Sequence, residues 1–379
     1  MSRNKILLRE GMKMLKRRRN KKDFHRFQGE PRDICYKIAE QCWNGRYFSA
    51  SLGHFSSFYM RDFGMSVEAL LHMGYGSQVN KNLEYILRVH KKHNAVTTTI
   101  TDEGHPVDIF HYGSDSLPYL IRSLRIARQY PLIREYHDFL EKKVQEYYDT
   151  IFDEEKQIVK ENINLSTMKD NFNRKSSLYA NCFAAMLSME LLKLKENKIY
   201  IHNPFFKWNY KKVIKDRFWV GTHFLDDISQ HHYIAADANT IPFFFDIYED
   251  KNMLHSAIHT LIGEKLDIPI PAKYTRKPIK EKENQLTSFL APNYQGDTCW
   301  TNLGLMYMTV VGKSNRLMLK KYIDHYLEII EEHGNLLEVF DSRGKPYMTR
   351  FYKCDEGMLW SSMFFQLLDQ YYNSIKKII

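Results

Sequence analysis

The chain of 379 residues is 44% hydrophobic and 14% aromatic, which supplies a large core and excludes a disordered or fibrous protein. No run approaches the roughly 18 apolar residues that span a bilayer, and the N-terminal stretch lacks the apolar segment of a secretory leader. The net charge of +10 is uneven: residues 1–26 hold eleven Lys/Arg against two acids, the remainder 44 basic against 43 acidic residues, so the body lacks the basic balance of one that wraps a nucleic-acid backbone.

In chain order the basic segment comes first. Lys5-Ile6-Leu7-Leu8 through Lys16-Arg17-Arg18-Arg19 mixes apolar residues with cations. That fits either a solvated lead-in or an amphipathic helix touching anionic lipid or nucleic acid. Length alone suggests two or three domains, but no later boundary is visible, so the chain reads as a basic tail, 1–26, and one domain, 27–379. Apolar periodicity predicts helices near 33–43, 64–75, 77–93, 114–129, 131–151, 175–196, 204–218, 238–249, 251–263, 298–312, 314–333 and 356–376. Residues 177–194 are apolar almost all round and belong inside; 133–149 alternate charges and belong on an outer surface. Inner and outer helices taking turns predict a double ring of helical hairpins. Strands are expected at 218–220, turning at Gly221 toward His232-Tyr233-Ile234, and at 336–340 before the turn 341–346. The stretch 268–284, with three prolines, reads as an exposed loop. Cysteines 35, 42, 182, 299 and 354 are odd in number and form no CxxC pair, pointing to a reduced compartment, the cytoplasm.

Common chemical fingerprints are absent: no phosphate loop, no HExxH helix, no GxSxG elbow. Gly74-Tyr75-Gly76 lacks a third glycine. His90 and His93 share a helix face without a further ligand, and adjacent His231-His232 suit one metal poorly, so no metal or cofactor is expected. What remains is a set of acids at the starts of inner elements, beside aromatic rings. Arg61 and Asp62 sit among Phe55, Phe58, Tyr59 and Phe63, the fork and stacking surfaces of a sugar pocket, although Asp62 would also serve as a helix cap. Asp115 opens the next inner helix with the same ambiguity. Asp170 lies too far ahead of its helix to cap it. Glu338 interrupts an apolar strand where an acid has no packing purpose, and Trp300 and Trp360 stand at helix starts.

These segments resemble those of the six-hairpin glycosidases, the (α/α)6 toroid enzymes, nearest to the neutral invertase, trehalase and glucoamylase-like branches. Tyr59-Met60-Arg61-Asp62-Phe63 is similar to an Arg-Asp-Phe run of the invertases' sugar subsite, and Ser114-Asp115-Ser116-Leu117 to their Asp-Ser-Gly-Leu helix start. Ser166-Thr167-Met168-Lys169-Asp170 resembles the run holding their general acid. Leu337-Glu338-Val339-Phe340-Asp341 resembles the run holding the base. Pro118-Tyr119 replaces a tryptophan pair, Arg174 only loosely matches an arginine-rich run, and no β-domain is appended. The resemblance implies an all-α toroid with short β-hairpins at the active-site end. It implies an inverting glycoside hydrolase for an α-glucoside, with Asp170 as acid and Glu338 as base. Tyr59, Arg61, Asp62, Asp115 and Lys169 would contact the sugar, and Trp300 or Trp360 would give it a platform. A phosphorylase or transferase on the same toroid, and a non-catalytic sugar-binding or scaffold protein tethered by its tail, are the alternatives. The partner expected of the body is a carbohydrate; oligomeric state is not legible.

Overall fold

Fifteen helices are found in the computed structural model, which describes residues 3–19, 23–229 and 233–376; His231 and His232 lie outside the described residues. They are α1 (Arg3–Arg19), α2 (Pro31–Cys42), α3 (Met60–His72), α4 (Gly76–His93), α5 (Ser116–Ile126), α6 (Tyr130–Glu135), α7 (His137–Ile151) and α8 (Leu178–Glu196). After these come α9 (Tyr210–Phe218), α10 (Ala236–Phe244), α11 (Lys251–Gly263), α12 (Gln285–Leu290), α13 (Thr301–Gly312), α14 (Arg316–His333) and α15 (Ser361–Lys376).

Neighbour packing closes a ring. Helix α3 packs on α5, α5 on α8, α8 on α10, α10 on α13, α13 on α15, and α15 returns to α3. A second layer of α2, α4, α7, α9, α11 and α14 lies outside it, completing six helical hairpins. The two layers follow from sequence. Inner α13 buries Leu303, Leu305, Met306, Met308, Val310 and Val311 on all sides, whereas outer α4 buries Val79, Leu83 and Ile86 and exposes Lys81, Glu84 and Arg88. Close inner contacts need glycine. A Cβ on Gly64 of α3 would lie 2.5 Å from the Tyr119 ring of α5, and one on Gly304 of α13 would collide with the Pro271 carbonyl and the Tyr326 hydroxyl.

The start of every inner helix faces one end of the ring, and short strands knit that end. They are β1 (Phe58–Tyr59), β2 (Thr99–Ile100), β3 (Pro106–Val107), β4 (Tyr112–Gly113), β5 (Phe152–Asp153), β6 (Ile158–Val159), β7 (Leu165–Ser166), β8 (Cys299–Trp300) and β9 (Val339–Phe340). Strands β1, β2 and β3 form an antiparallel sheet, β5 pairs with β6, β4 pairs in parallel with β7, and β8 pairs with β9.

Several expectations are corrected. The predicted 131–151 helix breaks at Tyr136 into α6 and α7. The expected strand at 218–220 is only a bridge between Trp219 and Phe224, and eight of the nine strands at the ring mouth, all but β9, were not foreseen. The 268–284 stretch is not simply exposed: Ile270, Ala272, Tyr274 and Thr275 are buried, and Ala272 O accepts from Trp300 N at 2.9 Å. Helix α1 is no solvated lead-in. Its Ile6, Glu10, Lys13, Met14 and Arg17 face the body, with Lys13 paired to Asp102 at 3.0 Å and Arg17 to Glu356 at 2.8 Å. No helix among the described residues is long and apolar enough to cross a membrane.

Candidate active site

At the knitted end a cavity of about 460 Å³ opens between the helix starts, with Glu10, Gly11 and Met14 of α1 along its upper side. Tyr59, Arg61, Asp62, Asp170, Glu338, Trp300 and Trp360 all line it. These side chains come from positions as far apart as 59 and 360, and strand pairing brings them together. The β4–β7 register sets Gly113 opposite Ser166, which places the loops carrying Asp115 and Asp170 side by side. The β8–β9 register sets Trp300 opposite Val339, one residue beyond Glu338.

The first wall is built on Arg61. Its Nε donates to Asp115 at 2.5 Å and its Nη1 to Asp170 at 3.3 Å. Asp170 Oδ1 accepts from Ser166 Oγ at 2.5 Å and from the Thr167 amide at 2.9 Å, leaving Oδ2 with the Arg61 contact. Asp62 lies in the first turn of α3, inside the helix rather than at its cap position, which is Tyr59. Burial pushes its carboxyl up to about 7, only partly opposed by Arg61.

The second wall is built on Glu338, which is 1% exposed. Tyr294 donates to its Oε1; Tyr352 and the Asp355 amide donate to its Oε2 at 2.6 and 2.8 Å. Burial, followed by the neighbouring charge of Asp355, pushes Glu338 up to about 7 against those donors. Asp355 is held ionised: although burial opposes it, Arg17, Ser51 and the Phe55 amide bring it below the ordinary carboxylate value.

The two walls share one strap. Tyr294 holds Glu338, and Gln295, next in sequence, accepts from the Asn171 amide at 2.8 Å and donates to Met168 O at 2.7 Å. Those two contacts flank Asp170 within its loop. Rings supply the remaining surface: Trp300 Nε1 donates to Tyr294 O at 2.7 Å and Trp360 Nε1 to Thr301 Oγ1 at 2.9 Å, which fixes both indoles.

Two expected sugar contacts are elsewhere. Asp115 is 1% exposed and does not line the cavity; its Oδ2 is taken by Arg61 and by Tyr179 at 2.6 Å, so it sits behind the guanidinium. Lys169 is fully buried and turned away, its Nζ 2.7 Å from Asp226 and 3.2 Å from Asp237. Alternation along the Thr167–Asp170 loop sends Lys169 inward while Asp170 faces the cavity. The pair at 90 and 93 is divided as well: His90 is buried in the core, where desolvation drops it to about 3, and His93 is exposed.

Tyr294, Gln295, Tyr352, Asp355 and His54 were not anticipated. His54 lines the cavity with neither ring nitrogen hydrogen-bonded, and burial drops it to about 4, so a neutral imidazole faces the space. The signal for Tyr352 and Asp355 lay in the turn at 341–346, since a hairpin returning from it must pass Glu338. No local signal marks His54.

No family model matches this sequence and no curated protein matches it. Solved structures do resemble its fold. A glycosidase variant in complex with glucose superposes with a TM-score of 0.64 over 90% of this chain and 98% of that one, at 10% identity. A rhamnosidase from Klebsiella oxytoca with rhamnose bound gives 0.61 over 90% and 64%, at 9% identity. The neutral trehalase of Saccharomyces cerevisiae gives 0.57 over 86% and 73%, at 10% identity. The (α/α)6 toroid of such glycosidases is the architecture of this chain.

Proposed function

We propose that the protein is an inverting glycoside hydrolase acting on an α-glucoside, a disaccharide or the end of a short glucan. Asp170 is the general acid and Glu338 the general base. The observation that carries this reading is that the two carboxyl groups line one cavity and that adjacent residues hold the two walls: Tyr294 bonds the Glu338 carboxyl, and Gln295 bonds the backbone on either side of Asp170. The solved structures of like fold include glycosidases bound to glucose and rhamnose, which supports a sugar as the ligand.

In the proposed reaction Asp170 delivers a proton from Oδ2 to the glycosidic oxygen as the bond to the anomeric carbon breaks. Oδ1 is already occupied by two donors, whereas Oδ2 has the longer, 3.3 Å contact of Arg61, so Oδ2 is the oxygen that carries that proton. Water attacks the opposite face of the anomeric carbon, and Glu338 accepts the proton it sheds. Inversion needs about 6.5–9.5 Å between the two carboxyls so that this water fits. Arg61, held by Asp115, and Asp62 meet the sugar hydroxyls; Tyr59, Trp300 and Trp360 give its ring an apolar surface. The cavity size lies within the roughly 300–1,000 Å³ of small-ligand sites, and α1 along its upper side favours a short substrate over a threaded polymer.

Phosphate as acceptor is less well supported. Among the described residues lining the cavity Arg61 is the one arginine or lysine, and two carboxylates engage it. The five free, buried cysteines support a reducing compartment, the cytoplasm.

Proton NMR during incubation with sucrose, trehalose, maltose and isomaltose tests the reading. One substrate is expected to be cleaved with β-anomer formed first, and Asp170→Asn is expected to stop turnover while sugar binding persists. First-formed α-anomer would contradict inversion. Binding without cleavage across such a panel would make this a sugar-binding protein.

A further inference from the structure

Helix α1 has two faces, and the catalytic reading uses only one. Its inward face carries Ile6, Glu10, Lys13, Met14 and Arg17, spaced by three and four residues. Its outward face carries Leu8, Met12 and Leu15, exposed at 65, 52 and 40% and spaced by four and three. On that same face Lys5, Lys16 and Arg19 are exposed, and no acid of α1 lies among them. The one acid of the helix, Glu10, is buried on the other face beside Lys13. Acids of the body near α1 are engaged by other cations of the helix: Glu103 by Arg9, Asp102 by Lys13, and Glu356 by Arg17.

The apolar character continues past the helix. Arg18 Nε donates to Thr349 O at 2.7 Å, and Thr349 Oγ1 donates to Leu290 O at 3.0 Å. Beside those atoms stand exposed Met348, Leu290 and Phe289, the last packed on Phe351 at 5.6 Å between ring centroids.

We propose that the outward face of α1 docks the protein on an anionic membrane surface. Three exposed apolar side chains flanked by three exposed cations are what an interfacial helix presents: the apolar groups enter the headgroup boundary and the cations meet lipid phosphates. A nucleic acid would use the cations but give Leu8, Met12 and Leu15 no partner. A second copy of this face would set like charges against each other. The docking does not depend on the glycosidase reading, and it leaves the inward face of α1 on the cavity.

The test is co-sedimentation of the full-length protein with vesicles of phosphatidylcholine alone or mixed with phosphatidylglycerol. Binding is expected only to the mixed vesicles and is expected to weaken as salt rises. Two variants separate the contributions: Leu8→Asp, Met12→Asp and Leu15→Asp together, and Lys5→Gln, Lys16→Gln and Arg19→Gln together. Each is expected to weaken binding roughly tenfold or more at a nearly unchanged thermal transition, since these side chains are exposed on the outward face of the helix. Equal binding to both vesicle types, or wild-type binding by either variant, overturns the proposal. So does single-stranded RNA binding that only the charge variant loses, or a dimer in sedimentation that the aspartate variant abolishes while vesicles leave it intact.

Discussion

Glu338 sits where burial and a neighbouring acid oppose ionisation, while two tyrosine hydroxyls and an amide favour it. The balance leaves the carboxyl pushed up to about 7. A general base must be ionised, so kcat/KM is expected to fall as pH drops through about 7. Asp62 is pushed up to about 7 as well, and Asp62→Asn tells the two apart: the acid limb persists in that variant if it belongs to Glu338. Stability carries the same signature. The folded value of Glu338 stands above the ordinary 4.5. Its contribution to stability is therefore complete below about 4.5 and lost as pH rises through about 7. At pH 8 the ionised form costs up to about 3 kcal/mol, so Glu338→Gln is expected to abolish turnover and raise the melting temperature at pH 8, with no gain at pH 4. Equal melting temperatures at both pH values would contradict this. Lys169 makes the opposite case. It shares Asp226 and Asp237 with Arg174 in a buried cluster of four charges. Lys169→Met leaves two buried carboxylates with one cation, and a loss of roughly 3–5 kcal/mol is expected. Denaturant melts check the size, and KM of the remaining folded enzyme is expected to stay within a few fold. A large rise in KM without destabilisation would return Lys169 to the sugar.

Helices were legible because their information is repeated along the chain. The 251–263 helix has the bounds expected, and Asp250 caps it through the Asn252 and Met253 amides. Mouth strands two residues long have no period to read; they are set by single contacts such as Thr98 N donating to Asp108. The same limit divided the site. Arg61, Asp170 and Glu338 were visible as chemistry without a packing purpose, whereas Tyr352 follows from the 341–346 turn only once the partner of its hairpin is known, and Tyr294 lies in a loop that no local signal marks. Helix α1 was legible as a mixed apolar and cationic segment, but its place over the cavity was not, because that depends on acids far along the chain, Asp102, Glu103 and Glu356. Arg17 reaches Asp355 at 3.5 Å and Glu356 at 2.8 Å, so the first helix adjusts the field around the proposed base. In Arg17→Gln the charge of Asp355 acts on Glu338 with less opposition, and the protonated form of Glu338 gains. The acid limb of kcat/KM is expected to move to higher pH by about half a unit or more. An unmoved limb would mean that α1 does not hold this position in solution.

At the scale of the molecule the site exists only because the ring closes. Arg61 enters on the first inner helix, the residues before α15 bring Trp360, and α15 is the element that joins α13 back to α3. An open stack of hairpins would behave otherwise: each unit contacts only its neighbours, and removing a terminal unit costs only its own share. The ring predicts a larger loss. Deleting residues 361–379 removes buried Met363, Phe364, Phe365, Leu367 and Leu368, each contributing about 1.5–3 kcal/mol when fully buried. It also uncovers the faces of α2, α3 and α13 that α15 covers. Together these losses approach or exceed the roughly 5–15 kcal/mol by which a folded domain is stable. The truncated chain is therefore expected to show no cooperative thermal transition by circular dichroism and no sugar binding, even though every residue lining the cavity is still present. If it melts sharply and still binds sugar, the hairpins are held in an open array and closure of the ring does not hold the site together.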